Sequence, residues 1–180
     1  MTQVLLVRHC DATGQGPGAP LSPSGEQQAK ALAAKLVGLP VDYIVASPYL
    51  RARRTASPLA ASLGLPVHSD ARLVEHRLSS APVPEWRDFV ERAFSEPHAR
   101  APGGDAPAET LARAIAALED VIASGRTLPV LVTHGLLLSL LLHSIDPGFG
   151  FDGWKSLRNP DVFRLVGPLH QMRFERIELS

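Results

Sequence analysis

Val4-Leu5-Leu6-Val7-Arg8-His9-Cys10 begins as a run of β-favouring apolar residues and stops on an arginine and a histidine. Val130-Leu131-Val132-Thr133-His134-Gly135 repeats the pattern far along the chain. Short apolar runs of this kind read as buried strands, and each delivers an imidazole at its carboxyl end. In open α/β sheets ligands collect outside those carboxyl ends, so two histidines and an arginine there predict an anion pocket.

Working outward from these strands, a Gly/Pro-rich loop spans 14–20 and Ser22-Pro23-Ser24-Gly25-Glu26 reads as a helix start. Ala29, Leu32, Ala33 and Leu36 fall on one face of that helix, which should end near Gly38. A strand over 42–46 is broken by Ser47-Pro48, and a helix over 51–63 is closed by Gly64. A short strand begins at Val67-His68. Residues 75–107 are irregular and proline-rich around one helix at 85–94, and we expect them to form a lid. Apolar residues recur at helical spacing over 107–123, and a further helix starts near Leu136. Strands over 162–166 and 172–177 finish the sheet. Alternating strands and helices predict a three-layer α/β/α sandwich around a mostly parallel central sheet, in a single domain over 1–180.

A chain of 180 residues with 45% hydrophobic content can bury one substantial core. Its 18 basic and 18 acidic residues cancel, leaving no overall field to hold a nucleic acid or an anionic membrane. Any anion site must therefore be local. The longest apolar run, Leu136 to Leu142, is interrupted by Ser139 and is far shorter than a membrane span, and we expect no signal peptide. It reads as a core helix. The single cysteine, Cys10, has no partner for an internal disulfide, as suits a cytoplasmic location.

Ser47-Pro48-Tyr49-Leu50-Arg51-Ala52 again follows a strand and opens a helix, which sets Arg51 in a first helical turn near the same sheet edge. Guanidinium groups present planar forks to phosphate oxygens, so Arg8 and Arg51 together suit a tetrahedral dianion. Two converging histidines could instead bind a metal, but zinc takes roughly three or four ligands and no paired Cys or His spacing supplies them. We expect no metal and no cofactor.

With these residues in place, the chain resembles the histidine phosphatase superfamily, the phosphoglycerate mutase-like proteins. The resemblance rests on Arg8-His9, on Arg51-Ala52 with Thr55-Ala56, on Glu75 behind Arg72-Leu73, and on His134-Gly135, in the expected order from residue 4 to about 142. It implies a phosphoglycerate mutase-like fold with His9 as nucleophile, forming a phosphohistidine. It also implies a phosphate clamp of Arg8, Arg51 and a protonated His134. Glu75, in a partly enclosed site, is the expected acid and base, because Gly135 stands where another branch of the family has an aspartate. Gln15, where the family often has an asparagine, and Thr13 are further substrate-binding candidates.

Two departures stand out. The family usually has glycine after the nucleophilic histidine, where this chain has Cys10; it reads as a small buried filler or, given the cations nearby, as a thiol of lowered pKa open to peroxide. The helix after the first loop reads Gly25-Glu26 rather than Gly-Arg.

The expected activity is that of a phosphomonoesterase on small phosphorylated metabolites. Asp11-Ala12 and the 47–52 segment look like the phosphohistidine protein phosphatase branch, which is the second reading. A phosphoglycerate mutase is the third, though the chain is short after Arg8-His9. A phosphate-binding module without catalysis is the last. Arg72, His76, Arg77 and Arg87 offer a second acidic group a partner, or are ordinary surface charges.

Overall fold

The computed structural model describes residues 2–179. Strand β1 (Gln3–Arg8) is followed by helix α1 (Pro23–Leu36), β2 (Tyr43–Ala46), α2 (Leu50–Leu63) and the short β3 (His68–Ser69). After a 3₁₀ turn at Ala71–Leu73 come α3 (Trp86–Arg92), α4 (Pro107–Ala123), β4 (Pro129–Thr133) and α5 (Gly135–Ile145). The short α6 (Phe151–Lys155), β5 (Asp161–Val166) and β6 (Arg173–Arg176) complete the chain.

Side chains alternate across a strand, and β1 has apolar residues at both phases. Leu5 and Val7 pack with Leu32 and Leu36 of α1 and Leu59 of α2, whereas Val4 and Leu6 pack with Leu118 of α4 and Leu138 and Leu141 of α5. Helices therefore cover both faces of one six-stranded sheet, in the order β3-β2-β4-β1-β5-β6. The β1–β4, β2–β4 and β2–β3 pairs are parallel. The last two strands turn back: β5 runs antiparallel to β1, and β6 antiparallel to β5.

Helix ends follow their chemistry. Ser22 caps α1, its Oγ accepting from Gly25 N at 3.0 Å, with proline in the first turn. Gly64 closes α2 at φ 65°. Gly25 has no room for a side chain, because a Cβ there would lie 1.9 Å from the Asp11 carbonyl oxygen. α5 is apolar on every side because it is covered twice, by α4 and the sheet on one flank. On the other flank Leu136 and Leu140 meet Val90 and Ala93, with Phe151 and Trp154 packed alongside. The Leu136 to Leu142 run is buried core, and no helix among the described residues is long and apolar enough to cross a membrane.

Boundaries moved slightly. α5 starts at Gly135 rather than Leu136 because His134 is its N-cap, and α3 is shorter at both ends than the expected 85–94.

Candidate active site

Three adjacent parallel strands end together. Arg8 of β1 pairs with Thr133 of β4, and Ala46 of β2 with Val132. The ladder then runs one step further, His9 N donating to Thr133 O at 3.0 Å and Ser47 N to Val132 O at 2.9 Å. Arg8, His9, Ser47 and His134 are thus gathered by strand pairing itself.

His9 has a defined tautomer. Its Nδ1 lies 2.7 Å from the Cys10 carbonyl oxygen, which can only accept, so the proton sits on Nδ1. The lone pair is left on Nε2, which accepts from Arg51 Nε at 3.1 Å. Burial, with the nearby Arg51 and Arg8 charges, lowers the imidazole pKa to about 4, so the ring is neutral at pH 7. Asn159 Nδ2 holds the His9 carbonyl at 2.8 Å.

Arg51 is 1% exposed although it carries a charge. Besides His9, it donates through Nη1 to the carbonyls of Gln15 at 3.0 Å and Gly16 at 2.9 Å, so one side chain orders both the glycine-rich loop and the imidazole. The Tyr49 ring lies 5.1 Å from its guanidinium carbon. Arg8 stretches along the α5 N-terminus, where a Cβ on residue 135 would come within 3.1 Å of its Nε. Glycine after His134 is what lets this guanidinium lie flat. That Nε is buried without a partner.

His134 sits against both neighbours, 5.1 Å between centroids to His9 and the same to Tyr49. Its Nε2 is 2.8 Å from Ser47 Oγ, and its Nδ1 is buried with no partner. Burial, then His9 and the arginines, push its pKa well below the ordinary value. In the protein without phosphate these causes favour the neutral imidazole.

Glu75 is fixed at the α5 N-terminus. Its Oε1 accepts from His76 N at 2.8 Å and Leu137 N at 2.9 Å, and its Oε2 from Leu136 N at 3.0 Å. A carboxylate has about four acceptor sites. The one remaining is on Oε2. Neither Arg72 nor Arg77 pairs with it: Arg72 binds Asp70 and Asp120, and Arg77 binds Asp105. Its backbone is held by Arg113, which reaches the carbonyls of Arg72 and Val74 at 2.6 Å and of Glu75 at 3.3 Å. Thr133 Oγ1 adds a bond to Leu73 O at 2.7 Å.

Arg8, Arg51, Glu75 and Gln15 line a cavity of about 1130 Å³, roofed by Leu78, Val83, Trp86 and Val90. His9 and His134 are outside that lining: His9, 7% exposed, touches Arg51 of the cavity floor through Nε2, and His134, 0% exposed, packs against the His9 ring. Two expectations fail. Thr13 donates its hydroxyl to Pro20 O and is absent from the cavity wall. Cys10 is fully buried beside Leu21 and Ala29, and burial pushes its thiol up to about 12, so it is packing rather than a reactive thiol. Among the described residues, no three His, Cys, Asp or Glu gather as a metal-ligand set. Ser47, Arg113 and Asn159 are the contributors that sequence reasoning missed.

The comparisons with known proteins agree with this geometry. The family model described as histidine phosphatase superfamily (branch 1) matches residues 4–166. A Salmonella choleraesuis protein named probable phosphoglycerate mutase GpmB is 30% identical over 92% of this chain and 85% of its own. The native structure of a mycobacterial glucosyl-3-phosphoglycerate phosphatase superposes with a TM-score of 0.76 at 26% identity, covering 97% of this chain and 96% of that one. Bacillus stearothermophilus YhfR superposes with a TM-score of 0.78 over 96% and 95% of the two chains; at 23% identity it speaks for the fold alone. Strand ends, ordered motifs and relatives converge, and the chain belongs to the histidine phosphatase superfamily.

Proposed function

We propose that the protein hydrolyses small phosphomonoesters through a phosphohistidine on His9, with Glu75 as acid and base and with no cofactor. The observation that carries this reading is the state of His9: proton committed to Nδ1, lone pair on Nε2, burial keeping the ring neutral, and an arginine in contact with the attacking atom. A phosphate dianion is a stronger acceptor than an imidazole nitrogen, so substrate draws Arg51 Nε away and uncovers Nε2. The Nε2–P bond forms as the P–O bond to the alcohol breaks, and a proton on Glu75 Oε2 passes to the leaving oxygen. Glu75 then takes a proton from water, whose oxygen attacks phosphorus. The P–N bond breaks, releasing phosphate and neutral His9.

Arg8 and Arg51 balance the charge on the non-bridging oxygens. His134 enters neutral, with Nδ1 as the atom left for phosphate, and the bound dianion favours its protonation. We read the chain as one histidine phosphatase domain with 75–107 as its lid, working in the cytoplasm.

A mutase has a specific argument in its favour, the name of the Salmonella relative. It must keep its phosphoenzyme from water, and Trp86 at the cavity roof is 40% exposed, which favours hydrolysis. The test is turnover of p-nitrophenyl phosphate and an alkyl phosphate, beside a phosphohistidine protein and 3-phosphoglycerate with 2,3-bisphosphoglycerate. Glu75→Gln should lower kcat/KM about hundredfold for the alkyl ester and far less for the nitrophenyl ester, whose leaving group needs little protonation. Equal losses would contradict the acid role, and isomerisation without phosphate release would make the protein a mutase.

A further inference from the structure

The cavity is far larger than a phosphate ion needs, and its two ends differ in chemistry. The floor holds Arg8, Arg51 and Glu75, whereas Leu78, Val83, Trp86, Val90, Leu136 and Trp154 form the outer wall. Trp86 and Trp154 meet edge to face with centroids 6.2 Å apart, and Phe151 stacks on Trp154 at 5.5 Å. The polar side chains along this wall are engaged within the protein. Ser79 Oγ donates to Ala81 O and Ser80 Oγ to Pro102 O. His76 Nδ1 bonds Thr110 Oγ1 at 2.7 Å, and Arg77 pairs with Asp105.

The expected second-anion group does not assemble. Arg72 is tied to Asp70 and Asp120, and Arg87 is stacked over Trp86, its guanidinium carbon 5.3 Å from the ring. Neither Arg72 nor Arg87 belongs to the cavity lining. Beyond the phosphate clamp, the only other arginine of that lining is Arg77, already ion-paired.

We propose that the outer half of the cavity is a leaving-group subsite for an apolar, ring-bearing alcohol. The preferred substrate class is then a phosphomonoester with one dianionic phosphate, no second anion, and a flat apolar body against Trp86 and Trp154. This rests on the phosphomonoesterase reading and narrows it. Apolar and aromatic surface removed from water supplies the binding, whereas a carboxylate brought to this wall loses hydration and meets one cation, Arg77, which Asp105 already neutralises.

The test uses the full chain and three alkyl monoesters: 3-phenylpropyl phosphate, glycerol 3-phosphate and 3-phosphoglycerate. All three have alcohol leaving groups, so they make similar demands on Glu75. The subsite predicts kcat/KM for the phenylpropyl ester at least about tenfold above either polar ester. Trp86→Ala and Trp154→Ala should each pull that ratio down to about twofold or less. Trp86 and Trp154 are the only tryptophans in the chain, so its whole tryptophan emission reports on this wall. Titrating the His9→Ala protein with 3-phenylpropyl phosphate should change that emission saturably, and inorganic phosphate should not.

Preference for 3-phosphoglycerate, a ratio unmoved by both tryptophan substitutions, or an emission insensitive to the phenylpropyl ester would each overturn the subsite. If p-nitrophenyl phosphate shows no His9-dependent turnover, the phosphatase reading fails, while the emission titration still decides the subsite.

Discussion

Burial settles what the titratable residues at the strand ends can do. Cys10 is adjacent to His9 and near two arginines, a setting that suggests an activated thiol, yet the side chain turns into the pocket made by Leu21 and Ala29. Its amide donates to Thr55 Oγ1 at 2.9 Å, so the backbone there is fixed by α2 and the thiol is left to packing. In the folded protein Cys10 should react with an aromatic disulfide reagent at least about hundredfold more slowly than in denaturant, as expected for an inert buried thiol. Rapid labelling of the native protein, with loss of activity, would restore the redox reading. The gathering of Arg8, His9, Arg51 and His134 at one sheet edge was legible in the sequence because each ends a strand, follows one or opens a helix, whereas Glu75 was singled out only through the family resemblance. Ser47, Arg113 and Asn159 were not legible, since each acts through a contact with a residue at least 38 positions away. Local pattern carries no trace of such contacts. The charge on His134 was equally hidden, because it depends on how completely neighbouring elements exclude water.

At the scale of elements, three parallel strand ends set the floor and α5 sets the wall. The α5 N-terminus holds the carboxylate through the amides of Leu136 and Leu137, while Gly135 makes room for Arg8. α4 contributes through Arg113, whose guanidinium gathers the carbonyls of Arg72, Val74 and Glu75. If Glu75 is the proposed proton donor, Arg113→Gln should lower kcat by about ten- to hundredfold with little change in KM, since misplacing such a group costs rate rather than binding. Arg113→Lys should recover part of the loss. A change confined to KM would show that Arg113 acts on substrate binding instead. The boundaries of α4 were readable from 107–123 because its apolar spacing is regular and Pro107 sits in its first turn. The antiparallel course of β5 and β6 was not readable: strand direction is set by the path of the connections, and the apolar content of a strand is the same in either direction.

At the scale of the whole molecule, three histidines are buried as neutral groups. Burial lowers the pKa of His9 and of His76 to about 4, and holds that of His134 well below its ordinary value. An unfolded histidine titrates near its ordinary value, so between pH 6.5 and about 4 the unfolded chain binds more protons than the folded one. Stability from these groups is complete above the unfolded value and is lost as pH falls toward 4. Each can contribute a slope of up to about 1.4 kcal/mol per pH unit in that window. Urea unfolding at pH 7.5 and pH 5 should show a lower midpoint at the acid value, and His76→Gln should shrink the difference. A midpoint that does not fall on acidification would contradict the neutral, buried assignment. The alternating pattern of strands and helices made the layered architecture visible in advance. The apolar roof was not, because Val90, Leu136 and Trp154 come from three separate segments that meet only once α5 is packed.

The central claim is that His9 takes the phosphoryl group. Rapid acid-free quenching during p-nitrophenyl phosphate turnover, followed by peptide mass analysis, measures it directly. The account predicts one phosphoryl group on the peptide containing His9, stable in alkali and lost in acid, with neither label nor turnover in His9→Ala. Sustained turnover by His9→Ala, or label on another residue with His9 unmodified, would contradict it.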